Sequence, residues 1–336
     1  MNRVISPAPI HYYARHNFEK LPQVQRVSAE DRLAIRVVSA VLPFKVNDYV
    51  VNHLIDWDQI PHDPIYRLTF PHRDMLEPED FRRIADLMSR EAPTDQLQAV
   101  VHEVRGKLNP HPAGQMTHNV PTLDGEPVWG LQHKYRETVL FFPAQGQTCH
   151  AYCTFCFRWP QFVGVREMKF QNREVQSLIR YLHAHPEVSD VLITGGDPMI
   201  MPVQTLRSYI EPLLELEQIQ SIRIGSKSLS YWPHRYLTDP DSEEILQLFR
   251  QVRSAGKNLA YMAHFNHPRE LSTTFAQQAI GRILDAGCSI RCQSPLIRHI
   301  NDDPQVWADM WRTQVRLGCI RSEEHTSELQ SPCNIV

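Results

Sequence analysis

From Val139 onward, short apolar runs alternate with helix-like stretches, and this repeat limits the fold more than any other feature. Each repeat spans about thirty residues, the length of one βα unit. Alternating βα units predict a parallel sheet, and five strands suit an α/β fold with a partial (β/α) TIM-like barrel. The predicted strands are Val139–Phe142, Asp190–Ile193, Ser221–Ile224, Leu259–Ala263 and Ser289–Gln293. The predicted helices are Asn172–His185, Val203–Leu216, Ser242–Ala255 and Ser272–Ala286.

Three cysteines follow the first predicted strand at C-x3-C-x2-C spacing: Cys149, Cys153 and Cys156. Thiolates are soft ligands that hold iron–sulfur clusters. Three of them leave one iron of a four-iron cluster without a protein ligand, so a small molecule can bind there. One alternative is a zinc site, with the adjacent His150 as an awkwardly placed fourth ligand. The other is a set of unligated core cysteines, but the spacing favours a [4Fe–4S] cluster.

Composition sets the class of protein but not its activity. The 336 residues carry a net charge of −3, which indicates neither a nucleic-acid nor a membrane partner. No apolar run reaches the length of a membrane span, and the first residues contain no apolar signal region. The odd number of cysteines, seven, argues against a disulfide framework. We therefore expect a cytoplasmic protein with reduced thiols, and we leave open whether it is a homo-oligomer.

Residues 1–130 are predicted to form a helical N-terminal region. Leu33, Val37 and Val41 are spaced four apart, as on one face of a helix. Further helices are predicted after Pro78 and over Gln96–Lys107. These patterns indicate packing alone, so we interpret the region as a structural cap on a second domain, residues 131–320.

The cysteine spacing, with Phe155 before the last cysteine, resembles the radical S-adenosylmethionine (SAM) superfamily. Further segments, in order between Leu131 and Cys319, resemble the lysine 2,3-aminomutase family. The resemblance implies a partial barrel of the radical SAM type and an enzyme that forms a 5′-deoxyadenosyl radical. It also implies that pyridoxal phosphate (PLP) assists a 1,2-migration of an amino group on an amino acid. These segments are His133–Tyr135, Thr194–Pro198, His264–Pro268 and Gln293–Asp302.

Three strand ends carry residues that the resemblance assigns to SAM. Gly195, Gly196 and Asp197 match the motif that contacts the amino group of the SAM methionine; the alternative is a tight turn. Ser226 matches a contact to the SAM ribose or carboxylate, although a serine in a loop more often forms a turn. Gln293 is expected close to SAM or to the pyridoxal ring.

The resemblance also suggests residues for the substrate and for PLP. Arg158 matches an arginine that binds the substrate carboxylate, a role suited to a planar, two-pronged donor. Asp302 matches the carboxylate that holds the distal ammonium of lysine; the alternative is a helix cap before Pro304. Lys134 and Tyr135 are weak candidates for the PLP phosphate, at positions near which the family has arginines.

The sequence departs from the family at its end. The family's PLP lysine lies in a downstream segment that has no counterpart, so no PLP lysine is assigned. Residues 321–336 begin with Arg321-Ser322-Glu323-Glu324, and their back-translation resembles a sequencing adapter. We expect a non-native tail without native packing, in which Cys333 has no role, and a natural protein cut near Cys319.

The preferred prediction is thus a radical SAM amino-acid 2,3-aminomutase. One alternative is a PLP-independent radical SAM enzyme acting on a protein or peptide side chain. Another is an inactive truncated product or a non-catalytic metal-binding protein. The expected partners are a small amino-acid substrate and an electron donor such as flavodoxin or ferredoxin.

Overall fold

The computed structural model describes residues 10–108, 114 and 116–321. These residues form eleven β-strands and ten α-helices. The strands are β1 (Tyr12–Ala14), β2 (Lys45–Asn47), β3 (Thr122–Leu123), β4 (Glu126–Pro127), β5 (Leu131–Tyr135), β6 (Thr138–Phe141), β7 (Asp190–Ile193), β8 (Ser221–Ser226), β9 (Asn258–His264), β10 (Ser289–Gln293) and β11 (Ile320–Arg321). The helices are α1 (Ala29–Val41), α2 (Pro64–Thr69), α3 (Pro78–Ser89), α4 (Thr94–Lys107), α5 (Val175–Ala184), α6 (Val203–Leu214), α7 (Ser228–Tyr231), α8 (Ser242–Ser254), α9 (Thr274–Asp285) and α10 (Pro304–Arg316).

Seven strands form one sheet, in the spatial order β11-β10-β9-β8-β7-β6-β5. Strands β6 to β11 are parallel, whereas β5 is antiparallel to β6. Within the described residues the sheet is open, because its edge strands β5 and β11 each pair on one side only. The predicted α/β fold is confirmed, and the five predicted strands correspond to β6 to β10.

Sequence analysis missed the two edge strands for local reasons. Strand β5 has the sequence LQHKY, which lacks a sustained apolar run. Strand β11 spans two residues, too few for a periodic pattern. Both depend on pairing with a neighbour that is already part of the sheet.

One face of the sheet forms the main hydrophobic core. Along β8, Ile222 and Ile224 are buried, whereas the alternate residues Arg223 and Gly225 are half-buried. The buried side chains pack with the apolar faces of α5, α6, α8 and α9. Two of these helices end where glycines predicted a stop, since Gly256 and Gly287 have φ values of +77° and +78°. This arrangement brings the C-terminal ends of the parallel strands to one edge.

The N-terminal region packs directly against the loop that carries the cysteines. Helices α1, α3 and α4 form their own apolar cluster. A second cluster combines N-terminal residues such as Phe44 and Val46 with Ala151, Tyr231 and Ile300. The N-terminal region therefore covers the strand-end edge of the sheet.

Two predictions concern the limits of the chain. None of the helices in the described ranges has the length and apolarity needed to cross a membrane. Arg321, the first residue of the predicted tail, pairs with Cys292 in the sheet, whereas residues 322–336, including Cys333, lie outside the described residues.

Candidate active site

The cysteine loop leaves the end of β6 and is held in place by backbone hydrogen bonds from the N-terminal region. The Tyr152 amide donates to the carbonyl of Lys45 at 2.8 Å, and the Thr154 amide donates to the carbonyl of Leu68 at 2.9 Å. Asn47 of β2 is buried, and its side-chain amide donates to the carbonyl of His150 at 3.1 Å. Folding of the N-terminal region therefore shapes the loop that presents the thiols.

The three cysteines lie close enough to affect one another electrostatically. Burial raises the pKa of Cys149 well above its usual range, and negative charge on Asp197, Cys156 and Cys153 raises it further. Burial and the charge of Cys153 raise the pKa of Cys156 to about 12. Without a bound cation these groups would stay protonated, but an iron–sulfur cluster takes them as thiolates. Three half-buried thiols that would repel one another once ionised are suited to bind a cationic centre that stabilises the thiolates.

The described residues do not form a binding site for a single zinc ion. Zinc ligands converge on one point at about 2.0–2.3 Å, and the described part of the chain brings no three His, Cys, Asp or Glu side chains into such a group. A four-iron cluster binds each thiolate on a different iron, so its sulfurs stand farther apart. His150 is buried with no hydrogen-bond partner for either ring nitrogen. The zinc alternative therefore gains no support from this geometry.

The Gly195-Gly196 turn packs tightly against the cysteine loop. Gly195 has a φ of +141°, which disfavours residues with a side chain. A Cβ on Gly196 would lie 2.5 Å from both the nitrogen and the oxygen of the Thr148 backbone. Next along the chain, the Asp197 amide donates to the Thr148 carbonyl at 2.7 Å. Glycine is therefore required where this turn meets the residue before Cys149.

The Asp197 carboxylate is buried and already occupied by donors within the protein. Its Oδ1 accepts from the Met199 amide and its Oδ2 from the Lys227 amide, each at 2.9 Å. Burial raises the pKa of Asp197 to about 6, against the opposing effect of these donors and of the Ser226 hydroxyl. The side chain thus ties the end of β7 to the end of β8. The SAM contact predicted for this motif remains a prediction, and the backbone of Gly195 and Gly196 is the part left to make it.

Ser226 and Gln293 lie at the same edge of the sheet. The Ser226 hydroxyl is 2.8 Å from that of Ser228, which in turn contacts the Tyr236 and Tyr261 hydroxyls at 2.7 Å. Ser226 is therefore part of a buried hydroxyl network beneath the strand ends. Gln293 is half-buried at the end of β10. The position of both residues agrees with the strand-end rule, and their ligand contacts remain predictions.

Arg158 is a buried cation with few strong partners. Its guanidinium stacks on the Phe142 ring, with the central carbon 4.2 Å from the ring centroid. Its hydrogen bonds to Gln147 Oε1 and the Phe170 carbonyl are both long, at 3.4 Å, and its Nε has no partner among the described residues. Burial lowers the pKa of Arg158 to about 10, while Cys156 and Cys149 act in the opposite direction. Such a group is suited to bind an added carboxylate.

The three consecutive residues Asn301, Asp302 and Asp303 have different surroundings. Asp303, rather than Asp302, caps α10, because its carboxylate accepts from the Gln305 amide at 2.8 Å. Asn301 is buried and donates to the Asn266 and Pro295 carbonyls, each at 3.0 Å. Asp302 lies exposed between them. The helix cap proposed as the alternative role of Asp302 is therefore provided by Asp303, and substrate binding by Asp302 remains a prediction.

Lys134 and Tyr135 are not brought to the cysteine loop. Tyr135 pairs with Thr138, at the start of β6, whereas the loop follows Phe141 at the other end. The Lys134 ammonium lies 5.1 Å from the centroid of the exposed Tyr135 ring. Because β5 runs antiparallel to its neighbour, the two residues lie about 10 Å or more from the loop. Their predicted contact with a PLP phosphate gains no support from this position.

Sequence analysis missed a buried ion pair beside Cys153. The Lys227 ammonium donates to Glu270 Oε1 at 2.6 Å, and it lies 4.6 Å from the centroid of the Tyr231 ring. The Tyr231 hydroxyl is 3.3 Å from the Cys153 sulfur. Lys227 directly follows β8, so the strand-end rule could have placed it, whereas its partner Glu270 is 43 residues away in sequence.

The cleft of about 470 Å³ beside Trp129 lies elsewhere on the molecule. None of the predicted site residues contributes to its lining. We therefore place the candidate site by its chemistry, at the cysteine loop, rather than by the size of a cavity.

Comparison with known proteins supports the family predicted from the motifs, although no protein-family model matches the chain. A protein of Aquifex aeolicus, provisionally named L-lysine 2,3-aminomutase, is 32% identical over 280 residues, which cover 83% of this chain and 63% of the relative. The L-lysine 2,3-aminomutase of Clostridium subterminale is 30% identical over 191 residues, or 57% of this chain and 43% of that protein. The chain is a homologue of the lysine 2,3-aminomutases. It spans about half the length of these curated relatives.

A solved structure aligns more weakly with this aminomutase homologue. Streptococcus suis SuiB, crystallised with S-adenosylmethionine, aligns over 74% of this chain and 61% of its own, at 15% identity and a TM-score of 0.29. A TM-score this low carries no argument about fold or function.

Proposed function

We propose that this aminomutase homologue is the cluster- and SAM-binding part of a radical enzyme that isomerises an amino acid. One observation carries the proposal. Three half-buried cysteines at C-x3-C-x2-C spacing lie together at the C-terminal edge of a parallel sheet, and the Gly195-Gly196 turn packs against their loop.

The proposed roles follow from the position of each group. Cys149, Cys153 and Cys156 would hold a [4Fe–4S] cluster and leave one iron open, and the backbone of the glycine turn would border the SAM methionine. When bound, the cluster and SAM would together supply the one-electron chemistry that activates a C–H bond. The apolar cluster shared with the N-terminal region keeps water away from this edge. An external one-electron donor of the flavodoxin or ferredoxin type would supply the electron.

Arg158 is the basis for proposing an amino acid as the substrate. Its guanidinium is buried beside Cys156 and Cys149 but makes only two hydrogen bonds to other described residues, both long. A carboxylate could accept two parallel hydrogen bonds from it. Lys134 and Tyr135, the residues predicted to contact the PLP phosphate, lie at the other end of β6, so no step of the proposal depends on PLP.

Anaerobic reconstitution with iron and sulfide tests the proposal. We expect about four iron and four sulfide per chain, an EPR signal on reduction, and a change in that signal when SAM is added. With dithionite, SAM should be cleaved to 5′-deoxyadenosine and methionine. Cys153→Ala should lose cluster and cleavage, whereas Cys288→Ala, in a strand-side core position, should keep both.

A second variant tests the substrate class. Arg158→Met should keep the cluster and the dithionite-driven cleavage of SAM, but should abolish the acceleration of that cleavage by amino acids. Stoichiometric zinc without sulfide in the wild-type protein would refute the cluster. Unchanged stimulation by amino acids in Arg158→Met would refute only the role of the arginine.

A further inference from the structure

The N-terminal region contributes one charged side chain to the cysteine loop. Lys45 lies in β2, and its backbone carbonyl accepts from the Tyr152 amide at 2.8 Å. Two residues further, the Asn47 side chain donates to the carbonyls of His150 and Tyr231, at 3.1 and 2.9 Å. These bonds fix β2 against the loop, so the direction of the Lys45 side chain is set by the fold.

The Lys45 ammonium lies in a small aromatic enclosure. It donates to the Thr148 hydroxyl at 2.8 Å, and it lies 4.8 Å from the ring centroids of both Tyr12 and Tyr152. The ring faces attract a cation, but they accept no strong hydrogen bond. Of the three N–H donors of the ammonium, only one has an oxygen acceptor in the described chain.

Lys45 also lacks the carboxylate that normally accompanies a desolvated lysine. No Asp or Glu oxygen of the described residues lies within 4.0 Å of its nitrogen. Lys227, near Cys153, differs in this respect, because Glu270 and Asn266 accept from it at 2.6 and 2.8 Å. Removing an ammonium from water without an anion is costly. The ammonium therefore has donors available for one added anion, and among the described residues Asp197 and Cys149 act on it only from beyond ion-pair distance.

The position of Lys45 indicates which negative group this is. Thr148, which accepts from Lys45, also accepts through its carbonyl from the Asp197 amide at 2.7 Å, and the next residue is Cys149. The ammonium thus lies between the first cysteine and the glycine turn. Arg158 contacts the residue before Thr148, through Gln147 Oε1. Lys45 and Arg158 are thus two cations near the cysteines without a carboxylate partner among the described residues, and each can bind a different carboxylate.

We propose that Lys45 binds the α-carboxylate of the SAM methionine and so sets the affinity for SAM; this inference rests on the proposed function. The ammonium would exchange water for a carboxylate at a site where no carboxylate of the described residues lies within ion-pair distance. The N-terminal region would then be part of the SAM site and not only a structural cap.

A comparison of SAM with decarboxylated SAM, which lacks only the carboxylate, tests the contact. Reconstituted wild type, Lys45→Met, Lys45→Arg and the exposed control Lys20→Met would be titrated with each ligand by calorimetry or EPR. Lys45→Met should weaken SAM binding by about 10- to 100-fold, the range of a charged hydrogen bond, but should leave decarboxylated SAM unchanged. Lys45→Arg should recover part of the loss, and Lys20→Met should behave as wild type.

Iron, sulfide and the SAM-free reduction potential of each variant serve as folding and cluster controls. If Lys45→Met weakens both ligands equally, or shifts the potential without changing SAM affinity, the lysine acts on the fold or on the cluster and the inference is overturned. A wild type that forms the cluster but does not distinguish the two ligands also overturns it. A wild type without any cluster refutes the proposed function, and this inference with it.

Discussion

Asp197 allows the strongest test of how the candidate site is built. We predict that Asp197→Asn destabilises the protein even when no cluster or SAM is present. The two carboxylate oxygens accept from two different backbone amides, those of Met199 and Lys227, each at 2.9 Å. An asparagine has one oxygen and one NH₂ group, so either rotamer places a donor against a buried amide donor.

The expected loss can be worked from these contacts. One buried amide loses its acceptor, which costs about 1–3 kcal/mol. The Ser226 hydroxyl, which also bonds to Asp197, can turn toward the Ser228 hydroxyl at 2.8 Å and so limits any further loss. We therefore expect the free energy of unfolding to fall by about 1–3 kcal/mol in total.

Urea denaturation of the apoprotein at pH 7, followed by far-UV circular dichroism, measures this loss. Asp302→Asn, on an exposed residue near the same edge, is the control and should change stability by less than about 0.5 kcal/mol. Equal midpoints for Asp197→Asn and wild type would show that the carboxylate is not a structural acceptor. Asp197 would then be free for a ligand, contrary to the reasoning above.

Three further predictions follow from buried groups. Lys227→Met leaves the fully buried Glu270 without its cation and should lower the free energy of unfolding by about 3–5 kcal/mol, measured by urea titration. A loss below about 1 kcal/mol would show that the pair does not stabilise the fold. Gly196→Ala should displace the cysteine loop and prevent iron incorporation, measured by iron analysis, whereas Gly281→Ala, with open space around its Cβ, should incorporate iron as wild type does. Burial lowers the pKa of His72 from 6.5 to about 4, so the unfolded state binds a proton before the folded state does as the pH falls. The free energy of unfolding should therefore drop by about 1–3 kcal/mol between pH 6.5 and 4. His72→Gln should reduce this pH dependence, which a pH series of urea midpoints would check.

The strand-end residues were predictable from the sequence because the cause is local. Strands β7 and β10 begin and end where their apolar runs predicted. Once parallel strands are predicted, their C-terminal ends must lie at one edge. This rule brings the cysteine loop, the glycine turn and Gln293 to the same side without any knowledge of side-chain contacts.

Sequence patterns could not predict the direction of the edge strand β5 or which residue caps helix α10. Lys134 and Tyr135 precede the cluster strand by few residues, but the antiparallel pairing of β5 carries them to its far end. Asp302 and Asp303 are both acidic and both precede Pro304, and only the backbone geometry at the start of α10 assigns the cap to the second. Neither the direction of β5 nor the identity of the capping residue leaves a recognisable pattern in the sequence.

By itself, the sequence determined the chemistry that this chain can offer: three thiols at a fixed spacing, glycines at a strand end, and an α/β sheet to hold them. Only the tertiary structure decided which polar groups are already satisfied and which remain open for a ligand. Asp197 is occupied by amides from two strand ends, whereas Lys45 reaches Thr148 across 103 residues of sequence and still has donors to spare. The physical reason is that short-range patterns set local backbone structure, whereas the partners of a buried charge come from segments that are distant in the chain.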